Sequence, residues 1–286
     1  MRLLRVGPAG AERPAIVGPL GHTLDLSAVT EDFGAEFFST GGVDRIARLT
    51  RADKLRLPQL DVGVLRVGSP IARPCKVVCI GLNYADHAAE SGQPPPEEPI
   101  VFLKDPCTVV GPNDVVLIPR GSVKTDWEVE LGVVIGATCR YLEDEAQASA
   151  AIAGYVVSHD VSEREFQLES GGQWDKGKSC ETFNPVGPWL VTPDEVQRSD
   201  GLHLWLDVNG RRMQDGSTKS LIFSVPFVIR YLSQFMVLHP GDLINTGTPA
   251  GVGLGRSPTQ YLRNGDVVEL GIDGLGTQRQ VFRRAD

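Results

Sequence analysis

Two glutamates separated by one residue, Glu128 and Glu130, are the part of the sequence most suited to chemistry. They lie in the stretch DWEVELGVVIG, whose alternating pattern is typical of a β-strand. Residues i and i+2 of a strand point to the same face, so we expect the two carboxylates side by side. Such a pair repels unless a proton or a cation lies between its members. Oxygen ligands favour Mg²⁺, Mn²⁺ or Ca²⁺, although a solvated strand face would show the same pattern.

A third carboxylate and a lysine would complete such a site. Asp160 follows the apolar segment AGYVVSH, where a predicted strand ends. Three carboxylates around one ion would leave coordination positions open for water and substrate. Lys178, in the predicted loop DKGKSCET, is the expected counter-charge, because three carboxylates, one divalent ion and one ammonium sum to zero. A loop-capping role for Asp160 and a solvated position for Lys178 are the alternatives.

A histidine and a glutamate three residues apart could supply a base. His87 and Glu90 lie in NYADHAAESG, which fits a single helical turn. On one turn, this spacing lets the carboxylate orient the imidazole and favour its basic form. An oriented histidine near a metal can activate water, although a surface histidine beside an acid has the same pattern.

The glycine-rich segment 246–253 (TGTPAGVG) could approach a ligand closely. Its backbone amides and two hydroxyls would bind ligand oxygens. It is not a Walker loop, because the GK[ST] ending is absent, and a purely structural turn is the alternative.

Composition narrows the function classes. The 286 residues carry a formal charge of -8, which argues against nucleic acid or an anionic membrane as the main partner. No run approaches the roughly 18 apolar residues of a membrane span, and the first residues do not resemble a secretion signal. Five cysteines without CxxC spacing predict reduced thiols in a cytoplasmic protein.

The order of patterns along the chain predicts two units. Residues 1–65 contain short strand patterns and a plausible helix, GGVDRIARLT, and form a small N-terminal domain. The segment RVGSPIARP is typical of a linker, and residues 74–286 form the main domain. Many strand patterns with few helices indicate a mixed, β-rich α+β fold. Asn209-Gly210 predicts a hairpin turn, and Pro226 lies near the start of a helix.

Six segments in order resemble the fumarylacetoacetate hydrolase family over roughly residues 74–272. They are GLNYADHAAE, DWEVELGVVIG, GYVVSHDVSEREFQ, GKSCETFNPVG, NGRRMQD and LHPGDLINTGTPAGVG. The resemblance implies a catalytic domain built on a rolled mixed sheet, preceded by a small N-terminal domain, and a homodimer.

The resemblance also implies roles for individual residues. Metal ligands for Mg²⁺ or Mn²⁺ would be Glu128, Glu130 and Asp160, with Thr182 nearby. Catalytic residues would be His87, Glu90 and Lys178, and substrate contacts would be Arg164, Gln167 and Thr248. One departure is that GLNYADH offers no additional metal aspartate ahead of the histidine, which suggests a water-richer ion site and a smaller substrate.

The implied activity is hydrolysis of a C–C bond in a 2,4-diketo acid, an acylpyruvate or a sugar-derived diketo acid, through a metal-stabilised enolate. Alternatives on the same scaffold are a 2-hydroxyhepta-2,4-diene-1,7-dioate isomerase, an oxaloacetate decarboxylase and a ureidoglycolate lyase. A non-catalytic protein that binds Ca²⁺ for stability is a further alternative.

Overall fold

The chain folds mainly into β-strands joined by short helices. This computed structural model describes residues 1–18, 21–51, 57–196 and 199–286. The strands, in chain order, are β1 (Arg2–Val6), β2 (Arg13–Val17), β3 (Thr23–Asp25), β4 (Gln59–Leu60), β5 (Val67–Gly68), β6 (Val77–Gly81), β7 (Ile100–Lys104), β8 (Val109–Val110), β9 (Val116–Ile118), β10 (Thr125–Asp126), β11 (Val129–Ile135), β12 (Ile152–His159), β13 (Ser162–Glu163), β14 (Asn184–Pro185), β15 (Leu190–Val191), β16 (His203–Val208), β17 (Arg211–Ser217), β18 (Leu243–Asn245), β19 (Val267–Ile272) and β20 (Gly276–Arg284). The α-helices are α1 (Ala35–Ser39), α2 (Gly42–Arg51), α3 (Ala85–Glu90), α4 (Glu145–Ala150), α5 (Asp175–Lys178) and α6 (Val225–Leu232). A π-helical turn spans Glu165–Glu169.

One large mixed sheet positions the acidic residues. Its order is β4–β3–β2–β1–β15–β12–β11–β18–β6–β7, with β5 also paired to β1. The strands β18 and β6 run parallel, whereas β11 and β12 form a long antiparallel pair at the centre. In that pair Glu130 lies opposite Ser158, and the backbone N–H of Asp160 donates to the carbonyl of Glu128 at 3.0 Å. The register therefore brings the end of β12 beside the start of β11.

A second sheet covers one face of the first. Its order is β17–β16–β19–β20–β9. Val129 and Leu131 of β11 belong to the same buried apolar cluster as Leu206 of β16, Leu270 of β19 and Ile229 of α6. The alternate residues of β11 that fill this cluster are apolar, which leaves the other face of the strand for Glu130.

The N-terminal segment covers the opposite face of the large sheet. Val134 and Val156 share an apolar cluster with Phe33 and Phe37, and the ring of Phe33 lies 4.8 Å from that of Phe37. Because both faces of β11 are covered, all seven of its residues are buried and its apolar pattern is nearly continuous. β1 pairs with β15, so residues 1–65 and 74–286 contribute strands to one sheet. The boundary between the two predicted domains stays a prediction.

The predicted fold class and several local elements are confirmed. The fold is a mixed, β-rich α+β structure, and both sheets are open across the described residues rather than closed into barrels. Asn209 and Gly210 both have positive φ, 51° and 75°, in the hairpin between β16 and β17, as an Asn-Gly turn requires. Ser224 caps α6 by accepting from the Phe227 N–H at 3.2 Å, and Pro226 lies in the first turn. None of the helices described is long and apolar enough to cross a membrane.

A buried histidine ends β12 beside the acidic residues. His159 is fully buried, its Nδ1 lies 3.0 Å from Gln280 Oε1, and its Nε2 finds no hydrogen-bond partner among the described residues. Burial lowers the pKa of His159 to about 4 from an ordinary 6.5. The imidazole is therefore neutral in the folded protein at neutral pH.

His159 should make stability depend on pH. Between about pH 6.5 and 4 the unfolded chain binds a proton at this residue and the folded chain does not, so stability falls as the pH falls through that window. The full effect is up to about 3 kcal/mol. Urea unfolding at several pH values should show His159→Gln with a weaker pH dependence than the wild type. The exposed His239 provides the control, since His239→Gln should keep the wild-type slope. Equal slopes for His159→Gln and the wild type would contradict the interpretation.

Candidate active site and metal centre

Three carboxylates converge where β11 and β12 meet. Oxygen atoms of Glu128, Glu130 and Asp160 all lie within 4.8 Å of one another. The three residues are only 5%, 2% and 0% exposed, so a solvated strand face is excluded. Glu128 and Glu130 lie two residues apart along the strand, and Asp160 immediately follows β12. The convergence predicted from the sequence is therefore present.

The protonation of these acids fits a cation site. Burial, together with the charges of Asp160 and Glu128, raises the pKa of Glu130 well above its usual range. Burial would also raise the pKa of Glu128, but pairing with Lys178 and Arg164 outweighs it and lowers that pKa. Without a metal ion, Glu130 therefore takes up a proton at a higher pH than Glu128 does. A hard divalent ion would replace that proton, and the all-oxygen ligand set suits Mg²⁺ or Mn²⁺.

A buried hydroxyl beside Glu130 supports the same conclusion. Tyr84 is fully buried, and its Oη finds no hydrogen-bond partner within the described part of the chain. Burial and then the nearby charge of Glu130 raise the pKa of Tyr84. A buried hydroxyl without a partner costs free energy, which a water molecule on an ion held by Glu130 would recover.

Two lysines, not one, neutralise the carboxylates. Lys178 Nζ lies 2.9 Å from Glu128 Oε2 and 2.8 Å from Asp160 Oδ2. Lys104 Nζ lies 2.5 Å from Asp160 Oδ1 and 3.0 Å from the Val161 carbonyl. Burial alone would lower the pKa of Lys178, but Asp160 and then Glu128 raise it above its ordinary value. Both lysines are buried and charged, which excludes a solvated position for Lys178.

The prediction that Lys178 lies in a loop is wrong. Lys178 is the last residue of the short helix α5. The helix forms because it is tied to β7: Asp175 Oδ1 accepts from the Leu103 N–H at 3.1 Å, and Ser179 Oγ accepts from the Asp105 N–H at 3.0 Å. These contacts place Lys178 above the ring of Phe102, with Nζ 5.1 Å from its centroid.

Arg164 joins the ion cluster through a fourth carboxylate. Its Nε lies 2.8 Å from Asp126 Oδ2, its Nη2 lies 2.7 Å from Glu128 Oε1, and its Nη1 donates to Gln167 Oε1 at 2.9 Å. All four residues are buried. Among the described residues, Nη2 contacts Glu128 and no other hydrogen-bond acceptor, and it carries two N–H groups. An oxygen atom of a ligand could therefore bind there.

Thr248 is already engaged with the protein. Its hydroxyl donates to the Val129 carbonyl at 2.8 Å and accepts from Gln214 Nε2 at 2.8 Å. Its role in binding a substrate carboxylate stays a prediction, and it would require the hydroxyl to change partner. Thr182 accepts from the Leu117 N–H at 2.8 Å and does not line the cavity described below.

The histidine and glutamate of α3 form the predicted dyad. His87 Nδ1 lies 3.2 Å from Glu90 Oε2. The N–H of Gly251 donates to both carboxylate oxygens of Glu90, at 2.9 and 3.1 Å. Gly251 has φ +108°, and a Cβ at this position would overlap the Met213 carbonyl, so only glycine fits. The dyad is thus fixed to the glycine-rich segment.

The sequence predicts that the amides of the glycine-rich segment face a ligand. That prediction is wrong for three of them, which donate to carboxylates of the protein instead. The N–H groups of Gly247 and Gly253 donate to Glu130 and Asp126, at 2.8 and 2.7 Å, as Gly251 does to Glu90. The amides therefore hold carboxylates of the protein in place. The sequence alone does not distinguish these carboxylate acceptors within the protein from the oxygen atoms of a bound ligand.

One cavity of about 500 Å³ gathers the predicted residues. It is lined by seven of them: His87, Glu128, Glu130, Arg164, Gln167, Lys178 and Thr248. Glu90 and Asp160 lie behind this lining, bonded to His87 and Lys178 respectively. The sequence reasoning missed Asp126, Lys104 and Gln214. The first two had a signal, since Asp126 continues the i, i+2 spacing of DWEVE and Lys104 is a charged residue ending the apolar run IVFLK.

The fold and the site define a member of a known enzyme family. Residues 76–283 match the profile of the fumarylacetoacetate (FAA) hydrolase C-terminal domain, and the chain belongs to the fumarylacetoacetate hydrolase family. A protein of Burkholderia multivorans (strain ATCC 17616 / 249), provisionally named a hydrolase, is 54% identical over 286 residues and is matched over 100% of both chains.

Two solved structures show the range of activities on this scaffold. The 2-hydroxyhepta-2,4-diene-1,7-dioate isomerase of Mycobacterium marinum is 33% identical, with a TM-score of 0.77, over 99% of this chain and 98% of that one. The maleylpyruvate hydrolase of Sphingobium sp. SYK-6, solved with manganese(II) ion and pyruvate, is 26% identical, with a TM-score of 0.81, over 100% of both chains.

Metal binding should release a proton from Glu130. The ion needs the ionised carboxylate, and the raised pKa of Glu130 means that the metal-free protein holds a proton there. Affinity for Mg²⁺ should therefore fall as the pH is lowered. Titration calorimetry in two buffers of different ionisation enthalpy should show proton release on binding that increases as the pH is lowered, up to about one proton per ion. Glu130→Gln should bind Mg²⁺ much more weakly, whereas the exposed Glu269→Gln should match the wild type. No proton release at any pH would contradict this assignment.

Proposed function

We propose that the protein is a divalent-metal-dependent hydrolase that cleaves a C–C bond in a 2,4-diketo acid, either an acylpyruvate or a sugar-derived diketo acid. The observation that carries the proposal is that His87 lines the same cavity as Glu128 and Glu130 while Glu90 holds its Nδ1. A metal-binding protein without catalytic activity would have no need for an oriented base facing its ion site. The manganese and pyruvate bound to the maleylpyruvate hydrolase support the choice of ion and product.

Residues for the metal are present in the site. Glu128, Glu130 and Asp160 would hold Mg²⁺ or Mn²⁺. When bound, the ion supplies positive charge to the carboxylate and 2-oxo oxygens of the substrate and to the negative charge that develops during cleavage. Lys104 and Lys178 keep the Asp160 carboxylate fixed from two sides.

Arg164 and Gln167 would bind and orient the substrate. Nη2 of Arg164, whose one acceptor among the described residues is Glu128, is the donor that would also bind a carboxylate oxygen of the substrate. Gln167 holds the guanidinium through Nη1, and its amide nitrogen remains as a further donor. Because Asp126 fixes Nε, the guanidinium is oriented before substrate binds.

The dyad provides the base. With Nδ1–H donating to Glu90, Nε2 of His87 keeps its lone pair and takes a proton from water. The oxygen of that water forms a bond to C4. The C3–C4 bond breaks, and the electron pair of the broken bond forms the enolate of pyruvate. The proton carried by His87 then goes to C3. The products are a carboxylic acid and pyruvate, which together account for every atom of the diketo acid and one water.

Lys178 stabilises negative charge during this sequence. Its ammonium lies at the cavity wall and is held charged by Asp160 and Glu128. A fixed positive charge in a water-poor cavity stabilises developing oxyanions more than it would in water. The homodimer and the cytoplasmic location expected from the sequence stay predictions.

An isomerase is the second candidate, favoured by the likeness to the M. marinum enzyme. Isomerisation of a hydroxy-dienoate moves a proton and needs no attacking water. The hydrolase, by contrast, depends on His87 for that water, so loss of the dyad separates the two functions. Decarboxylase and lyase activities are further outcomes of the same substrate comparison.

Replacing His87 should abolish cleavage without loss of the metal. We expect His87→Ala to lower kcat for acetylpyruvate by about 10²- to 10⁴-fold, because the general base is lost. Mg²⁺ affinity should stay within about threefold, since no ligand is changed. Pyruvate and acetate are followed by proton NMR with Mg²⁺, Mn²⁺ or a chelator, and metal affinity by calorimetry.

His239→Ala is the matched control, since His239 is exposed and is not part of the cavity lining. Retained cleavage by His87→Ala would remove His87 from the mechanism. Turnover of 2-hydroxyhepta-2,4-diene-1,7-dioate together with inertness toward every diketo acid would replace the hydrolase by the isomerase.

A further inference from the structure

We infer that the substrate is a monoanion whose acyl group, beyond C4, is uncharged and lies with an apolar face against Trp174. The inference rests on the proposed function, because it names the class of 2,4-diketo acid that the same cavity accepts. It is carried by the charge balance of the cavity and by the composition of its walls.

The cationic side chains that line the cavity already form ion pairs with carboxylates of the protein. Of the described residues that line it, Arg164 and Lys178 are the permanently charged cations. Both are paired with protein carboxylates, and the second N–H of Arg164 Nη2, which lies 2.7 Å from Glu128 Oε1 at the metal end, has no other described partner. That donor suits the carboxylate of the substrate next to the 2-oxo group. A second carboxylate on the acyl group would find no comparable partner in this lining.

The net charge of the buried ion cluster also argues against a second carboxylate on the substrate. Four buried carboxylates, Asp126, Glu128, Glu130 and Asp160, face three buried cations, Lys104, Arg164 and Lys178. With all four carboxylates ionised, as metal binding requires, the side chains sum to one negative charge, and the divalent ion changes the total to one positive charge. One substrate carboxylate neutralises that charge. A dicarboxylate would leave an excess negative charge in a mostly buried site, which is costly.

An aromatic wall provides the surface for the acyl group. The ring of Trp174 lies edge-on to that of Phe102, with centroids 5.4 Å apart, and both residues line the cavity. Trp174 packs directly over Gly81, where an added Cβ would lie 2.7 Å from the indole Cζ3. The absence of a side chain at Gly81 thus allows the indole to lie flat against β6. Ile80 and Ile100 continue the apolar surface beside it.

Two apolar side chains lie on the exposed side of the cavity, beside the exposed polar residues Ser91 and Gln93. Leu168 and Leu254 both line the cavity and are 44% and 40% exposed. A ligand whose acyl group covers these two side chains would remove apolar surface from water, which is favourable. Leu168 lies on the π-helical turn, directly between Gln167 and the segment that leads to Trp174. The acyl group can therefore contact apolar atoms on both sides.

A pair of substrates that differ in one end group tests the inference. 2,4-Dioxoheptanoate ends in a methyl group, and 2,4-dioxoheptanedioate has the same chain length but ends in a carboxylate. With Mg²⁺, we expect kcat/KM for the heptanoate to exceed that for the heptanedioate by at least about tenfold. Calorimetric binding of both compounds to the Mg²⁺-loaded His87→Ala protein should show the same preference without turnover.

Three variants locate the preference. Trp174→Ala should lower kcat/KM for 2,4-dioxoheptanoate by about tenfold and that for acetylpyruvate several times less, because the longer chain loses more contact area. Leu254→Arg supplies a cation at the rim and should raise kcat/KM for the heptanedioate relative to the heptanoate by about tenfold. Leu103→Arg is the control, since Leu103 is 42% exposed but outside the cavity lining.

The outcomes separate the inference from the proposed function. Equal or better use of the heptanedioate by the wild type would overturn the inference and leave the hydrolase in place. Binding preference for the heptanoate without any turnover would support the inference and reject the hydrolase. Absence of binding by both compounds would overturn both.

Discussion

One electrostatic constraint governs the candidate active centre. Its buried carboxylates repel one another, and positive charge must neutralise that repulsion. Oxygen atoms of Glu128, Glu130 and Asp160 lie within 4.8 Å of one another, and all three residues are buried. Such an arrangement persists only if cations, protons or hydrogen-bond donors offset its cost. Lys104 and Lys178 offset part of it from the protein side, and the remainder favours a divalent ion. The sheets, the short helix α5 and the glycine-rich segment all contribute groups to this balance.

The sequence predicted the acidic centre because its signals are local. The i, i+2 spacing of Glu128 and Glu130 and the position of Asp160 after an apolar run both follow from strand periodicity, and the pairing of β11 with β12 brings them together. The mixed, β-rich class and the Asn209-Gly210 hairpin follow from patterns of the same kind. The order of six motifs indicated the family, whereas no single motif is specific enough to do so.

Other parts of the site depend on contacts between distant segments and were not readable in the sequence. Lys178 was expected in a loop because DKGKS is rich in glycine and charge, whereas hydrogen bonds from β7 to Asp175 and Ser179 hold it in a helix. The role of Lys104 depends on which face of β7 meets Asp160, across 56 residues of chain. The amides of the glycine-rich segment could have faced a ligand, and only the tertiary structure shows that they face Glu90, Asp126 and Glu130.

The glycine-rich segment has a consequence for how this scaffold can diversify. Its amides hold Glu90 beside His87, Glu130 of the acidic cluster and Asp126 beside Arg164 through main-chain atoms, so the path of one short segment sets the relative positions of these three carboxylates. The apolar wall is tied to the site as well, because the Trp174 carbonyl accepts from the Lys178 N–H at 3.2 Å and Leu168 directly follows Gln167. An insertion or deletion in this short segment would therefore shift all three carboxylates together, whereas a change of one side chain elsewhere in the cavity wall leaves this main-chain framework intact.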